Sequence, residues 1–137
     1  MPVSEAPASL ATAFAQRLAA RDNPPPAPPL SQEPAAVLAR LGTWLAAHHA
    51  VRDVRSQGRL GRMLLALMQA PECGHADLRR AAGLTERAAG RSSQRLHQLG
   101  LATWEQRSYW RYWRLTRAAE DALLLVVAGP EGAIPPV

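Results

Sequence analysis

The stretch ADLRRAAGLTERAAGRSSQRLHQLGL, residues 76–101, decides how this chain is read. Ala76 to Ala82 suits a short helix that stops at Gly83, a residue free to take the left-handed backbone of a tight turn. Thr85 then stands in the N-cap position, where a hydroxyl accepts from an otherwise unpaired backbone N–H. From there a second helix runs to Leu99, and Gly100 closes it. Two helices joined by a short Gly-containing turn make a helix-turn-helix at 76–99. The second helix carries few bulky apolar residues: Leu96 and Leu99 anchor one face, and only Ala89 with Ser92 or Ser93 extends that stripe. Its other face gathers Glu86, Arg87, Gly90, Arg91 and Gln94, so something other than packing selects those residues.

Charge points the same way. The chain has 137 residues, a formal net charge of +5 and sixteen basic residues, all of them Arg. Both flanks are neutral or acidic. Residues 55–117 hold twelve Arg against Glu72, Asp77, Glu86 and Glu105, a net of +8 in less than half the chain. Such a block makes a positive field suited to a polyanion, and the guanidinium group pairs bidentately with phosphates and guanine edges.

Working outward, residues 1–30 read as an appendage to one folded unit. Leu10, Phe14 and Leu18 recur every four residues along a helix from Ala6 to Arg21, a single narrow stripe that needs a partner. The proline-dense NPPPAPPL at 23–30 forms a stiff spacer. The folded unit is expected over 31–128, with 129–137 as a tail. It begins at Ser31 with a helix bearing Val37, Leu38, Leu41, Trp44, Leu45 and His48 on one face and continuing to about Val54. A core helix follows from about Arg59 to Gln69 with Leu60, Met63, Leu64 and Leu67 inward, and Cys73 and Gly74 form a loop. Downstream, LATWEQ and YWRYWRLT, separated by Arg107 and Ser108, read as a β-hairpin over 101–116. A last helix, 117–128, carries Leu123, Leu124, Val126 and Val127. The fold class is mainly α with a small β-hairpin, α+β.

This order resembles the winged helix-turn-helix superfamily, and the sequence is similar in particular to bacterial regulators of the MarR type. The carriers are the core helix LGRMLLALMQA, the helix-turn-helix itself and the exit WRLTRAAEDALL. RLHQLGL at 95–101 matches the "RLxxxGL" that ends the recognition helix in such regulators, and Arg114-Leu115-Thr116 matches the "RLT" that leaves their wing. The hairpin is shorter than a typical MarR wing, and the N-terminal arm lies outside the family pattern. The resemblance implies a dimeric transcriptional regulator, most simply a repressor, that binds double-stranded DNA.

On that reading helix 85–99 enters the major groove by its N-terminal half. Arg87 and Arg91, one turn apart, are placed to contact guanine O6 and N7. Gln94 reads adenine or touches a phosphate, Glu86 either accepts from cytosine N4 or complements the helix dipole, small Ala88 and Gly90 allow close approach to the bases, and Thr85 at the start of the helix counts among the DNA-contacting residues. Arg79, Arg80, Ser92, Ser93 and Arg95 are candidates for backbone phosphates, with a salt bridge to Glu72 or Glu105 as the other role for Arg95. Arg107 and Arg111 of the hairpin are expected to reach the flanking DNA backbone or the minor groove. A homodimer would bury Leu10, Phe14, Leu18, Trp44, Leu123 and Val127 between subunits.

Two other readings compete. Trp104, Trp110 and Trp113 suit a protein partner, which would make the chain an adaptor subunit, and a plasmid or phage replication or partition protein would also bind DNA. No enzyme signature, cofactor motif or metal-ligand spacing appears, although Cys73, His75, His48, His49 and His97 supply donors and Cys73 leaves redox sensing open. Without a signal peptide or a long apolar run, the expectation is a cytoplasmic, nucleoid-associated protein with no membrane contact.

Overall fold

The computed structural model describes residues 9–23 and 29–132. Among them are six helices and three strands: α1 (Leu10–Asp22), α2 (Pro34–His49), α3 (Val54–Met68), β1 (Cys73–Gly74), α4 (His75–Ala82), α5 (Glu86–Gln98), β2 (Ala102–Arg107), β3 (Trp110–Leu115) and α6 (Arg117–Gly132). The architecture is α+β, mainly helical with a small antiparallel sheet. Helices followed by a hairpin are compatible with the winged-helix order. The start of the arm, the centre of the proline spacer and the end of the tail lie outside the described residues.

α3 is the centre of the core. Leu60, Met63, Leu64 and Leu67 are all buried along one of its faces, and α2, α4, α5 and β3 pack around it. Val37, Leu41 and Leu45 of α2 cover one side, Leu78 and Ala82 of α4 and Ala89 and Leu96 of α5 another, and Trp113 of β3 and Leu123 of α6 complete the cluster.

The helix expected over 31–54 ends earlier, and the core helix after it begins earlier. α2 stops at His49, Ala50 takes the left-handed conformation (φ 56°), and the Val51 N–H donates to Leu45 O at 3.1 Å. Val51 is then buried, and Asp53 caps α3 by accepting from Ser56 N at 3.0 Å. α3 therefore begins five residues before the expected Arg59. An αL position usually calls for Gly or Asn. Alanine there hides the break.

Cys73 and Gly74 are the short β1 rather than loop. The strand order is β1-β3-β2, with Cys73 opposite Trp113 and Trp104 also opposite Trp113. The hairpin turn is Ser108–Tyr109, one residue later than read, because Arg107 pairs with Trp110 and Ser108 supplies the positive φ of 57°. α6 keeps a regular path to Ala128 and breaks at Gly129 (φ 76°). Its last carbonyls are satisfied by Arg40, whose Nε donates to Val126 O at 3.2 Å, and by Gln32, whose Nε2 donates to Val127 O at 3.1 Å.

Candidate nucleic-acid interface

The helix-turn-helix forms as its residues dictate. Gly83 has φ 65°, and the Leu84 N–H behind it donates to Arg79 O at 3.1 Å. Thr85 Oγ1 accepts from Ala88 N at 3.2 Å, which starts α5 in a fixed direction. Ala89, Ser92, Ser93 and Leu96 then turn inward and are buried. Ser92 and Ser93 are therefore core positions: Ser93, 3 % exposed with its hydroxyl donating to Gly90 O at 3.1 Å, does not offer its expected phosphate contact, whereas Ser92, 6 % exposed, keeps only an edge on the flank of α5.

The outer face of α5 is the arc that the sequence picked out. Glu86, Arg87, Gly90, Arg91, Gln94 and Arg95 are exposed, and Ala88 is half-buried at the edge of the arc. Among the described residues nothing beyond the helix's own backbone and the adjacent residues lies within 4 Å of where a Gly90 side chain would begin, so the centre of the arc is open. Arg87, Arg91 and Arg95 make no salt bridge among the described residues, whose ion pairs involve Arg21, Arg80 and Arg107. Arg95 does not pair with Glu72 or Glu105.

A residue that sequence reasoning missed completes this surface. Arg59 of α3 lines two adjoining hollows on the flank of α5. One, of about 300 Å³, is walled by Ser56, Arg59, Leu60, Arg91, Ser92 and Arg95. The other, of about 170 Å³, lies against Arg59, Thr85, Arg87, Ala88, Arg91 and Ser92. The signal lies in the charge of the 55–117 block, but the apolar spacing marks Arg59 only as the approximate start of a helix that begins about one turn and a half earlier, at Val54.

Other Arg candidates have internal duties. Arg80 pairs with Asp77 at 2.6 Å, and half-buried Arg79 donates to Leu84 O at 3.4 Å, inside the turn. Arg107 forms a fork on Glu72, at 2.6 and 2.7 Å, and a further contact to Glu105 at 3.1 Å. Its guanidinium also lies 4.9 Å from the Tyr112 ring centre. That bidentate hydrogen bonding holds the Glu72 carboxyl below the usual carboxylate range and pushes the Arg107 pKa further up. Arg107 is thus spent on tying β2 to the segment before β1. Arg111 stacks 4.0 Å above the Trp104 ring and remains exposed.

The aromatic and dimer assignments divide likewise. Trp113 is 1 % exposed and belongs to the core, and Trp104 is half-buried against it. Neither can dock a partner face-on. Trp110, at 66 % exposure, and Tyr109, at 90 %, are the open aromatics of the hairpin. Leu123 is buried within its own chain, and Val127 and Trp44 are half-buried, so these three do not form an open face. Leu10, Phe14, Leu124 and Leu125 are the exposed apolar residues on α1 and α6.

Burial and the Asp77 charge push the Cys73 thiol up, away from the reactive thiolate that a redox sensor needs. Among the described residues no three His, Cys, Asp or Glu side chains are grouped to hold a metal ion. No helix there is long and apolar enough to cross a membrane. No family model matches the chain, and no curated protein or solved structure matches it.

Proposed function

We propose that the chain is a double-stranded DNA-binding protein of the winged helix-turn-helix class, acting as a homodimeric transcriptional regulator of MarR-like type. The observation that carries this reading is the outer face of α5: Arg87 and Arg91 stand exposed beside an open Gly90, without a carboxylate partner among the described residues, on a helix whose opposite face is fixed in the core. Rigid presentation of two guanidinium forks one turn apart is what bidentate guanine contacts in a major groove require. Gln94 and Glu86 on the same arc add adenine or cytosine contacts, and Arg111 on the hairpin adds a backbone contact.

Fluorescence anisotropy on labelled duplex across a salt series tests this. Wild-type protein is expected to bind with an affinity that falls steeply with salt. The Arg87→Ala/Arg91→Ala double variant is expected to lose sequence discrimination worth roughly 1–3 kcal/mol per contact. Absence of duplex binding at low salt would refute the reading.

A second reading, a protein-interaction adaptor, draws on one observation: Tyr109 and Trp110 are exposed at the hairpin turn, where a soluble surface seldom keeps large aromatics without use. It predicts that Trp110→Ala removes partner binding and leaves duplex affinity untouched.

A further inference from the structure

Arg59 is not on the recognition helix, yet it shares walls with three of that helix's arginines. In the larger hollow the guanidinium-bearing chains Arg59, Arg91 and Arg95 approach from two elements, over a floor made by Leu60 and the nearly buried Ser92. Its lining contains no carboxylate. The acid next to this region, Asp53, has its Oδ2 engaged by Ser56 N and Ser56 Oγ, both at 3.0 Å, in capping α3. Arg59 also favours the charged form of Asp53, which offsets part of its charge, but Arg91 and Arg95 have no carboxylate in this lining, so an anion in the concavity would be drawn to all three. The adjoining hollow continues the same wall to Thr85 and Ala88 at the N-terminus of α5, where the first-turn N–H groups and the helix dipole also favour negative charge.

We propose that this notch between α3 and α5 is a phosphodiester-binding site, in which Arg59 and Arg95 hold a backbone phosphate of the DNA strand that borders the groove entered by α5, with Arg91 on the rim left to the bases. The inference rests on the DNA-binding reading and adds to it a contact outside the helix-turn-helix. The concave shape and the closed floor favour a compact tetrahedral anion over the flat edge of a base. Arg59 thereby becomes a positioning residue: it sets how deeply and in what register α5 lies, while the exposed arc reads sequence. Because Ser56 already donates its hydroxyl to Asp53, the donor that the α3 wall offers is the Arg59 guanidinium.

The experiment is a salt-dependent anisotropy titration of the full chain with two labelled duplexes of unrelated sequence, comparing wild type, Arg59→Ala, Arg59→Lys and the Arg87→Ala/Arg91→Ala pair. Circular dichroism melts first establish that each variant is folded, and Arg59→Lys, which keeps charge without the fork, serves where Arg59→Ala does not fold. Loss of one phosphate contact lowers the slope of log K against log salt by about 0.9. Arg59→Ala is expected to show that decrease and a several-fold weaker affinity, equally on both duplexes, with Arg59→Lys restoring the slope but only part of the affinity. An unchanged slope in Arg59→Ala, with wild type still binding, overturns the notch and leaves the DNA-binding reading intact. A change confined to one duplex makes Arg59 a base reader and likewise overturns it. Failure of the wild type to bind either duplex overturns the reading and the notch together.

Discussion

At the scale of single residues, Thr85 and Trp113 carry more of the structure than their neighbours. Thr85 was read both as a cap and as a DNA contact, and its hydroxyl is committed to the Ala88 N–H. Thr85→Ala is expected to cost about 1 kcal/mol by loss of the cap, seen as a lowered urea midpoint, whereas Thr85→Ser should recover it. Trp113 fills the junction of β3 with α3, but its Nε1 has no hydrogen-bond partner among the described residues. Trp113→Ala should cost about 3–5 kcal/mol through the cavity. Trp113→Phe keeps most of the ring and removes the orphan donor, an unmade bond worth about 1–3 kcal/mol, so less than half that loss is expected in the same denaturation measurement. The sequence revealed Thr85 because an N-cap is a local pattern. It could not reveal that Trp113, one aromatic among five in the hairpin, is the one that turns inward, since alternation fixes two faces without saying which meets the core.

At the scale of elements, the hairpin is held by a charge cluster that joins segments distant in sequence. Arg107 reaches back to Glu72 as well as to Glu105 on its own strand. Glu72 has its pKa lowered in the folded chain, first by the Arg107 hydrogen bonds. Its contribution is therefore present above the ordinary glutamate pKa and is lost as pH falls through the lower folded value. Amide hydrogen exchange in β2 and β3 is expected to quicken relative to α3 in acid, below the ordinary glutamate pKa, compared with pH 6, after correction for the intrinsic pH dependence of exchange. Glu72→Gln should show the quickened state already at pH 6. If the hairpin amides of Glu72→Gln match wild type at both pH values, the tie is incidental. Element type was legible here and partnership was not: the aromatics and the spacing marked the hairpin, but a contact between residues 72 and 107 has no local signature. The α2–α3 boundary was missed for another reason. Periodicity continues through Ala50, and the left-handed turn sits on a residue that gives no warning of it.

At the scale of the whole molecule, the charge block and the helix order were legible because they are sums over many residues, and single misplacements such as Arg79 or Arg107 hardly alter them. Which surfaces remain free depends on tertiary packing, and there the sequence chose Leu123 and Val127 where the fold leaves Leu124 and Leu125 exposed. The subunit contact in the proposed dimer must therefore use what is open. α1 has no buried residue, with Leu10 at 86 % and Phe14 at 49 % exposure, while α6, with the end of α3, borders an apolar hollow of about 560 Å³ lined in part by Leu67, Met68, Leu115, Leu124 and Val127. Glu120 stands on its edge and Arg17 and Arg21 lie on α1, so charges of opposite sign would flank the contact. On the dimer reading, sedimentation velocity at micromolar concentration gives a species of twice the chain mass, and either Phe14→Asp or Leu124→Asp shifts it to the monomer, because a carboxylate in an apolar seam is left without solvent or partner. A dimer with two-fold symmetry also presents its two α5 helices to half-sites about one helical turn apart. The monomeric variants should then bind a single half-site as the wild-type subunit does and lose the added affinity for a palindrome. Should Leu124→Asp remain dimeric while Phe14→Asp does not, the contact is formed by α1 alone; should wild type sediment as a monomer with full duplex affinity, the homodimer is wrong and each α5 reads its site unaided.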